Sequence, residues 1–305
     1  IEVRLAAARA VEAVGTAGED AIPALVTLLA DDRFWAREQA ARSLAAIGDA
    51  AQPALVMALT NAPRGSARAA AAYGLGLGRS TDDAVFKALS AAIRDPEPRA
   101  RATAAAALVR FGPPAVQALV GAADDPEASV IVAMAESLRT IHAQPQRCVP
   151  ALARAMRHPQ GSAIVAYALQ AFGTDAQIAV PALVRAYPAG SSRRFTFGDD
   201  EAVTEPLTHI GPAREDDAGA LRELLAHERT KVRALAATEL RKLPATAETV
   251  AALRRSLSDA QPLPRVAAVT ALLVLQRSTP DLIAVLEQAF ESEDNDTLRL
   301  ASEAM

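Results

Sequence analysis

The chain has 305 residues, of which 51% are hydrophobic, 74 are alanine and only 11 are aromatic. Alanine is the strongest intrinsic helix former and is depleted in strands, so this composition argues against an all-β or parallel-sheet fold, and so few aromatics cannot fill a wide globular core. The net charge of −4 is evenly spread, with 15 basic and 16 acidic residues in 1–150 and 17 and 20 in 151–305, which disfavours the net basic face of a solenoid that tracks phosphates.

From the N-terminus, residues 2–14 read as a helix stopped by Gly15, and Ile22-Pro23-Ala24-Leu25 opens a second, shorter one. Residues 36–48 repeat the first pattern, with Ala40, Leu44 and Ile47 at spacings of four and three and Gly48 as the stop. Gln52-Pro53-Ala54-Leu55 repeats the second, its proline tolerated in the first helical turn. The alternation continues along the whole chain. One arginine marks the frame at Arg4, Arg37, Arg68, Arg101, Arg233, Arg265 and Arg299, with Ile131, Ser162 and Asp200 at the equivalent places, giving steps of 33, 31, 33, 30, 31, 38, 33, 32 and 34 residues. Glycines at 15, 48, 78, 112, 173 and 211 keep the same register, and the proline motif returns at Val149-Pro150-Ala151-Leu152 and Val180-Pro181-Ala182-Leu183. Turns such as Asp95-Pro96-Glu97 and Asp125-Pro126-Glu127 predict an Asp cap, Pro at the first helical position and Glu at the positive helix end. The 38-residue step carries an inserted loop at 188–200, and the helix after it contains Pro206. Each unit is a helix hairpin that cannot bury its apolar faces alone, so units must stack.

Period, proline, turn Asp and Val-Arg opening together make the chain similar to the HEAT-repeat family, in particular its short, alanine-rich bacterial repeats of the phycobilisome lyase type. The resemblance covers residues 1–305 and implies an all-α, right-handed α-solenoid of about nine helix hairpins in a single array. It places the proline-bearing helices on the convex side and the Val-Arg helices on the concave side. The first and last segments then fall inside concave helices, so the chain reads as part of a longer polypeptide.

The arginine column is expected to be structural, pairing with turn aspartates such as Asp31, Asp95, Asp125 and Asp259. The fifth residue after each ladder position is expected to face outward: Arg9, Arg42, Tyr73, Ala106, Glu136, Tyr167, Glu205, Thr238 and Thr270. Arginine and tyrosine are enriched at binding hot spots, which makes Arg9, Arg42, Tyr73, Glu136 and Tyr167 candidates for a protein-binding face, joined by Arg193, Arg194 and Phe195 of the inserted loop. Phe34-Trp35, beside Arg33 and Arg37, reads as a hydrophobic staple or a binding anchor. No continuous basic stripe with interleaved aromatics is present, so nucleic acid is disfavoured.

No cofactor or metal site is expected. The four histidines, His142, His158, His209 and His227, lack local ligand spacing, and the His-Glu pairs within helices that mark HEAT-like di-iron hydroxylases are missing. Cys148 is the single cysteine, which precludes a disulfide framework within the chain, and it reads as a packing residue. Gly74-Leu75-Gly76-Leu77-Gly78 reads as a place where helices approach closely. The longest apolar run, 266–275 interrupted by Thr270, is far short of a membrane span. The expected function is therefore non-enzymatic scaffolding of a protein partner along the concave face. An enzyme or enzyme subunit resembling bilin lyases, with a ligand held around Tyr73 and Tyr167, is the alternative, and nucleic-acid binding is a third.

Overall fold

In a computed structural model of the chain, the residues described are 2–158, 160–186, 201–276, 280–289 and 295–304. They form helices and turns throughout, in two alternating sets. The arginine row contains Glu2–Val14, Phe34–Ile47, Gly65–Leu77, Pro98–Leu108, Ala128–Ile141, Ser162–Ala171, Glu201–Ile210, Thr230–Leu240, Pro262–Gln276 and Asn295–Ala304. The proline row contains the shorter partners Ile22–Leu28, Gln52–Asn61, Asp83–Ala92, Val116–Leu119, Pro145–Ala155, Val180–Arg185, Ala218–Leu224, Ala247–Ser256 and Pro280–Ala289. The chain divides into two compact units, residues 1–168 and 169–305.

Within the first unit each arginine-row helix packs on the next, from Glu2–Val14 through to Ala128–Ile141, while Ile22–Leu28, Gln52–Asn61 and Asp83–Ala92 stack behind them. Within the second unit Thr230–Leu240, Pro262–Gln276 and Asn295–Ala304 pack in the same way. Each unit is an α-solenoid with a thin core between the two rows. Ala40, Ala41, Leu44 and Ile47 are buried in one helix, Ala104, Ala105 and Leu108 in another, and Ala236, Ala237 and Leu240 in the second unit. The glycines end helices as expected: Gly15, Gly48, Gly112, Gly173 and Gly211 all have positive φ, which a Cβ disfavours.

The small residues permit helices of one row to approach very closely, and one position in each repeat marks the contact. Ser43, six residues after Arg37, donates its hydroxyl to Ala8 O at 2.7 Å on the preceding helix, and Ser137 donates to Ala105 O at 2.9 Å. Gly74 holds the same position, where a Cβ would sit 3.1 Å from Ala41 O, while a Cβ on Gly76 would lie 3.0 Å from Ala107 Cβ on the other side. The glycine run thus lets Gly65–Leu77 be approached from both neighbours. Glu239 occupies this position in the second unit and is 1% exposed, with Oε1 accepting from Lys242 Nζ at 2.7 Å and Oε2 without a partner among the described residues. Burial pushes its carboxyl above the usual range, with Lys242 opposing the shift.

The capping expectation for Asp95 and Asp125 is corrected. The helices start later, at Pro98 and Ala128, and neither aspartate bonds their first turn. Instead Asp95 Oδ1 accepts from Glu97 N at 2.8 Å and Asp125 Oδ1 from Glu127 N at 2.9 Å, closing a turn that leaves both carboxylate oxygens facing the preceding repeat. Pro206 sits buried inside Glu201–Ile210, which remains helical.

Candidate functional site

The ladder arginines are the frame of the site. Arg68, Arg101 and Arg233 each grip an aspartate of the following turn through Nε and NH2, pairing with Asp95 at 2.6 and 2.7 Å, Asp125 at 2.7 and 2.9 Å, and Asp259 at 2.6 and 2.9 Å. Their NH1 donors turn the other way, onto two carbonyls of the preceding turn: Ala62 and Pro63 for Arg68, Asp95 and Pro96 for Arg101, His227 and Glu228 for Arg233. Burial alone would raise the carboxyls of Asp95 and Asp259; the arginine bonds and the turn N–H outweigh it and hold both below the usual range.

Three ladder positions depart from this pattern in the first unit: Arg37, Ile131 and Ser162, the last without a guanidinium. Ile131 replaces arginine, and the position that would carry its aspartate is Met156, also buried, while His158 Nε2 lies 3.0 Å from Pro126 O. Arg37 keeps the carbonyl half of the pattern, with NH1 donating to Asp31 O at 2.7 Å and Asp32 O at 2.9 Å. It has no aspartate: that position is Ala62, and Arg37 Nε and NH2 have no acceptor among the described residues. Asp31, expected as a ladder partner, accepts from Arg33 N at 2.9 Å. Arg265 binds Asp259 O and Ala260 O. The Arg4 side chain lies outside what is described, and Arg299 is on Asn295–Ala304.

Beside Arg37 the arginine row opens into a cleft of about 180 Å³, lined by Phe34, Arg37, Glu38, Ser66, Ala69, Ala70, Tyr73, Arg99 and Thr103. Three helices build it. Phe34, Arg37 and Glu38 share one face of Phe34–Ile47 by their spacings of three and four. The middle helix contributes the small residues Ser66, Ala69 and Ala70, which leave a hollow, and Tyr73 lines it one turn on. Gly65 precedes them because any Cβ there would collide with Glu97. Pro98–Leu108 supplies Arg99 and Thr103.

The cleft mixes aromatic faces with arginine. Phe34 is 49% exposed and lies under the Arg99 guanidinium, 4.3 Å from the ring centroid; that guanidinium makes no hydrogen bond among the described residues, while the Arg99 carbonyl accepts from Thr103 Oγ1 at 2.7 Å. Arg42 stands 5.8 Å over Tyr73 and is bound to Glu38 at 2.9 Å, and those two neighbours raise its already high pKa. Arg33 stands 5.7 Å over Trp35, itself 42% exposed. The staple reading of Phe34-Trp35 is therefore corrected: both are the first residues of their helix and present their rings to solvent and to guanidinium groups.

Of the candidates read from sequence, the structure brings Arg42 and Tyr73 together at this cleft. Arg9, Glu136 and Tyr167 are exposed on the same row, but none lines the cleft. Ala106 and Glu205 are exposed and Thr238 is half-buried. Thr270 does not face outward: it is 4% exposed on a helix packed from both sides, with its hydroxyl turned back to Val266 O at 2.9 Å. Arg193, Arg194, Phe195 and the loop 188–200 lie outside the described residues. Phe34 and Arg99, which carry the aromatic–cation contact, were not singled out as a pair because they lie one helix apart across the intervening one.

Cys148 is fully buried with Sγ 3.0 Å from Ala143 O, and burial pushes its thiol up to about 11. His209 Nδ1 lies 2.9 Å from Glu205 O, and His227 Nδ1 accepts from Arg229 N at 3.1 Å, taking the place of the turn aspartate. Among the described residues no three His, Cys, Asp or Glu side chains gather as a metal site, and no helix is long and apolar enough to cross a membrane.

Comparison with known proteins follows the same architecture. No curated protein matches the sequence. Among solved structures, Kap121p superposes with a TM-score of 0.55 at 12% identity, covering 93% of this chain and 37% of that one, so the chain spans little more than a third of its length. The complex of CpcE and CpcF of phycocyanin lyase from Nostoc sp. gives a TM-score of 0.42 at 21% identity, covering 83% of this chain and 94% of that one. The Kap121p similarity concerns the fold alone. The family model described as HEAT repeats matches residues 1–76, 53–139 and 218–305, and with the repeated hairpins and arginine ladder this shows that the chain belongs to the HEAT-repeat family.

Proposed function

We propose that this chain is a non-catalytic scaffold that binds a protein partner on the outward face of its arginine row, with the Phe34 cleft as the anchor. The observation that carries the reading is the cleft itself. Exposed Phe34 and Arg99, with half-buried Tyr73 and Arg37, bring the residue types that dominate hot spots together over a hollow between three tightly packed helices. The alanine contacts beneath hold the three helices in register, so a bound segment would be ordered against a preformed surface and little binding energy would be lost in reorganising the protein.

Selection of random peptides displayed on phage tests this. Peptides enriched on the wild-type chain are expected to lose at least about tenfold in affinity on Phe34→Ala and on Arg99→Ala, the loss typical of a hot-spot truncation. Substitution at exposed Lys87, on the proline row and away from the cleft, is expected to leave affinity unchanged. Enriched peptides that bind the Phe34→Ala and Arg99→Ala variants as well as wild type would overturn the reading.

A further inference from the structure

The ladder in the first unit obeys a pairing rule. Where the repeat carries arginine, six residues before the next ladder position stands aspartate, as in Arg68 with Asp95 and Arg101 with Asp125; where it carries Ile131, Met156 stands there. Arg37 with Ala62 breaks the rule. The backbone does not: Ala62 O and Pro63 O accept from Arg68 NH1 at 2.8 and 3.3 Å, as Asp95 O and Pro96 O accept from Arg101 NH1 at 2.9 and 3.2 Å. The turn is thus built in the same way with its carboxylate left out. Three donors that a turn aspartate satisfies elsewhere are consequently unmatched among the described residues: Arg37 Nε, Arg37 NH2 and the N–H of Arg64, the counterpart of those at Glu97 and Glu127.

The unmatched edge belongs to a residue that lines the Phe34 cleft. Nearby charges leave room for an anion. Glu38 is tied to Arg42, Asp32 is tied to Arg64, and Arg99 is engaged only by the Phe34 ring. Of the other carboxylates around the cleft, Asp31 accepts from Arg33 N, Glu12 accepts from Gln39 Nε2, and Glu97, beside Gly65, stands near Arg68, whose pKa it helps to raise.

Resting on the reading of the cleft as a protein-docking site, we infer that Arg37 takes a carboxylate of the partner in place of the missing aspartate, with an adjacent apolar side chain seated on Phe34. The bound carboxylate accepts two parallel N–H bonds from the guanidinium fork, the geometry that Asp95, Asp125 and Asp259 adopt toward their own arginines. A protein supplies such a group as an Asp or Glu side chain or as its C-terminal carboxylate.

The decisive variant is Ala62→Asp, which restores the internal partner. Ala62 has φ −61° and ψ 130°, a conformation that aspartate adopts without strain, so the variant is expected to fold and to melt at a higher temperature than wild type. The probes are three short peptides with a Phe next to the test residue: one with Asp and an amidated end, one with Asn and an amidated end, and one with Asn and a free C-terminal carboxylate. Binding is read from the Arg37 Nε–H signal and the backbone amides of the cleft by NMR. Wild type is expected to bind a carboxylate-bearing peptide on the order of tenfold more tightly than the Asn amide, with the Arg37 signal shifting, and Ala62→Asp is expected to erase that preference while still binding the Asn amide. The two carboxylate peptides show which source of the group the site takes. If the Asp, Asn and free-carboxylate peptides bind wild type alike, or if Ala62→Asp keeps the preference, the carboxylate inference falls while the docking reading stands. Binding of none of the peptides to the wild-type cleft would overturn both.

Discussion

Asp95 and Asp32 are both paired with arginine, yet their surroundings give the two pairs different weight. Arg68 and Asp95 are nearly buried, with bidentate bonds and a turn N–H on the same carboxylate, whereas Arg64 and Asp32 meet in solvent. Removing one partner of a buried pair strands the other, at a cost of about 3–5 kcal/mol, while an exposed pair contributes about 0–1 kcal/mol. Urea unfolding of Asp95→Ala and Arg64→Ala is expected to show that ratio. The pH dependence follows from the same bonds. Asp95 and Asp259 have folded-state pKa values below the ordinary 3.8, so they contribute stability at neutral pH that is lost as pH falls through those lowered values. Denaturation curves from neutral pH down into the acid range should therefore fall steeply for wild type and less so for the Asp95→Asn, Asp259→Asn double variant. The arginine column was legible in the sequence as residue types at a fixed period. The Ala62 gap is also visible there, but only the hydrogen bonds show that the turn around it is unchanged and that Arg37 keeps its free edge.

At the level of the helix, close approach along the arginine row is set by one position in each repeat. A Cβ on Gly74 would lie 3.0 Å from the Leu55 side chain and 3.1 Å from the Ala41 carbonyl oxygen, so Gly74→Ala forces its neighbours apart; the expected destabilisation is about 1–3 kcal/mol, measurable by thermal or urea unfolding. Glu239 is the ionisable group in that column, where Ser43, Gly74, Ala107, Ser137, Ala168, Pro206 and Ala271 hold the same place. Its folded-state pKa is raised above the unfolded value near 4.5, so its adverse contribution is absent below that value and grows as pH rises toward and through the folded pKa. Glu239→Gln removes this dependence. The variant is expected to gain stability relative to wild type as pH rises from about 4 to 8, and a difference that does not change with pH would contradict the burial argument. Helix existence and period were readable from apolar spacing and terminal glycines. The starts at Pro98 and Ala128 were not, because an aspartate two residues before Glu can cap a helix or close a turn with the same local sequence.

For the molecule as a whole, each repeat in such a stack contacts mainly its neighbours, so damage should stay near its origin. Hydrogen exchange on Asp95→Ala is expected to lose protection in Gly65–Leu77 and Pro98–Leu108 and to leave Thr230–Leu240 and Ala247–Ser256 as in wild type. Loss of protection in both sets would mean that the chain unfolds as one cooperative body. The all-α class, the HEAT-like repeat and the arginine ladder all follow from the amino-acid order, because helix period, glycine stops and proline positions are local properties that repeat. The binding cleft is of another kind. It depends on Phe34 and Arg99 meeting across a middle helix whose side chains are small, and on an arginine left without its aspartate. Those relations join residues one to two repeats apart, and the cleft they line exists only once neighbouring hairpins have packed at the distance that alanine permits.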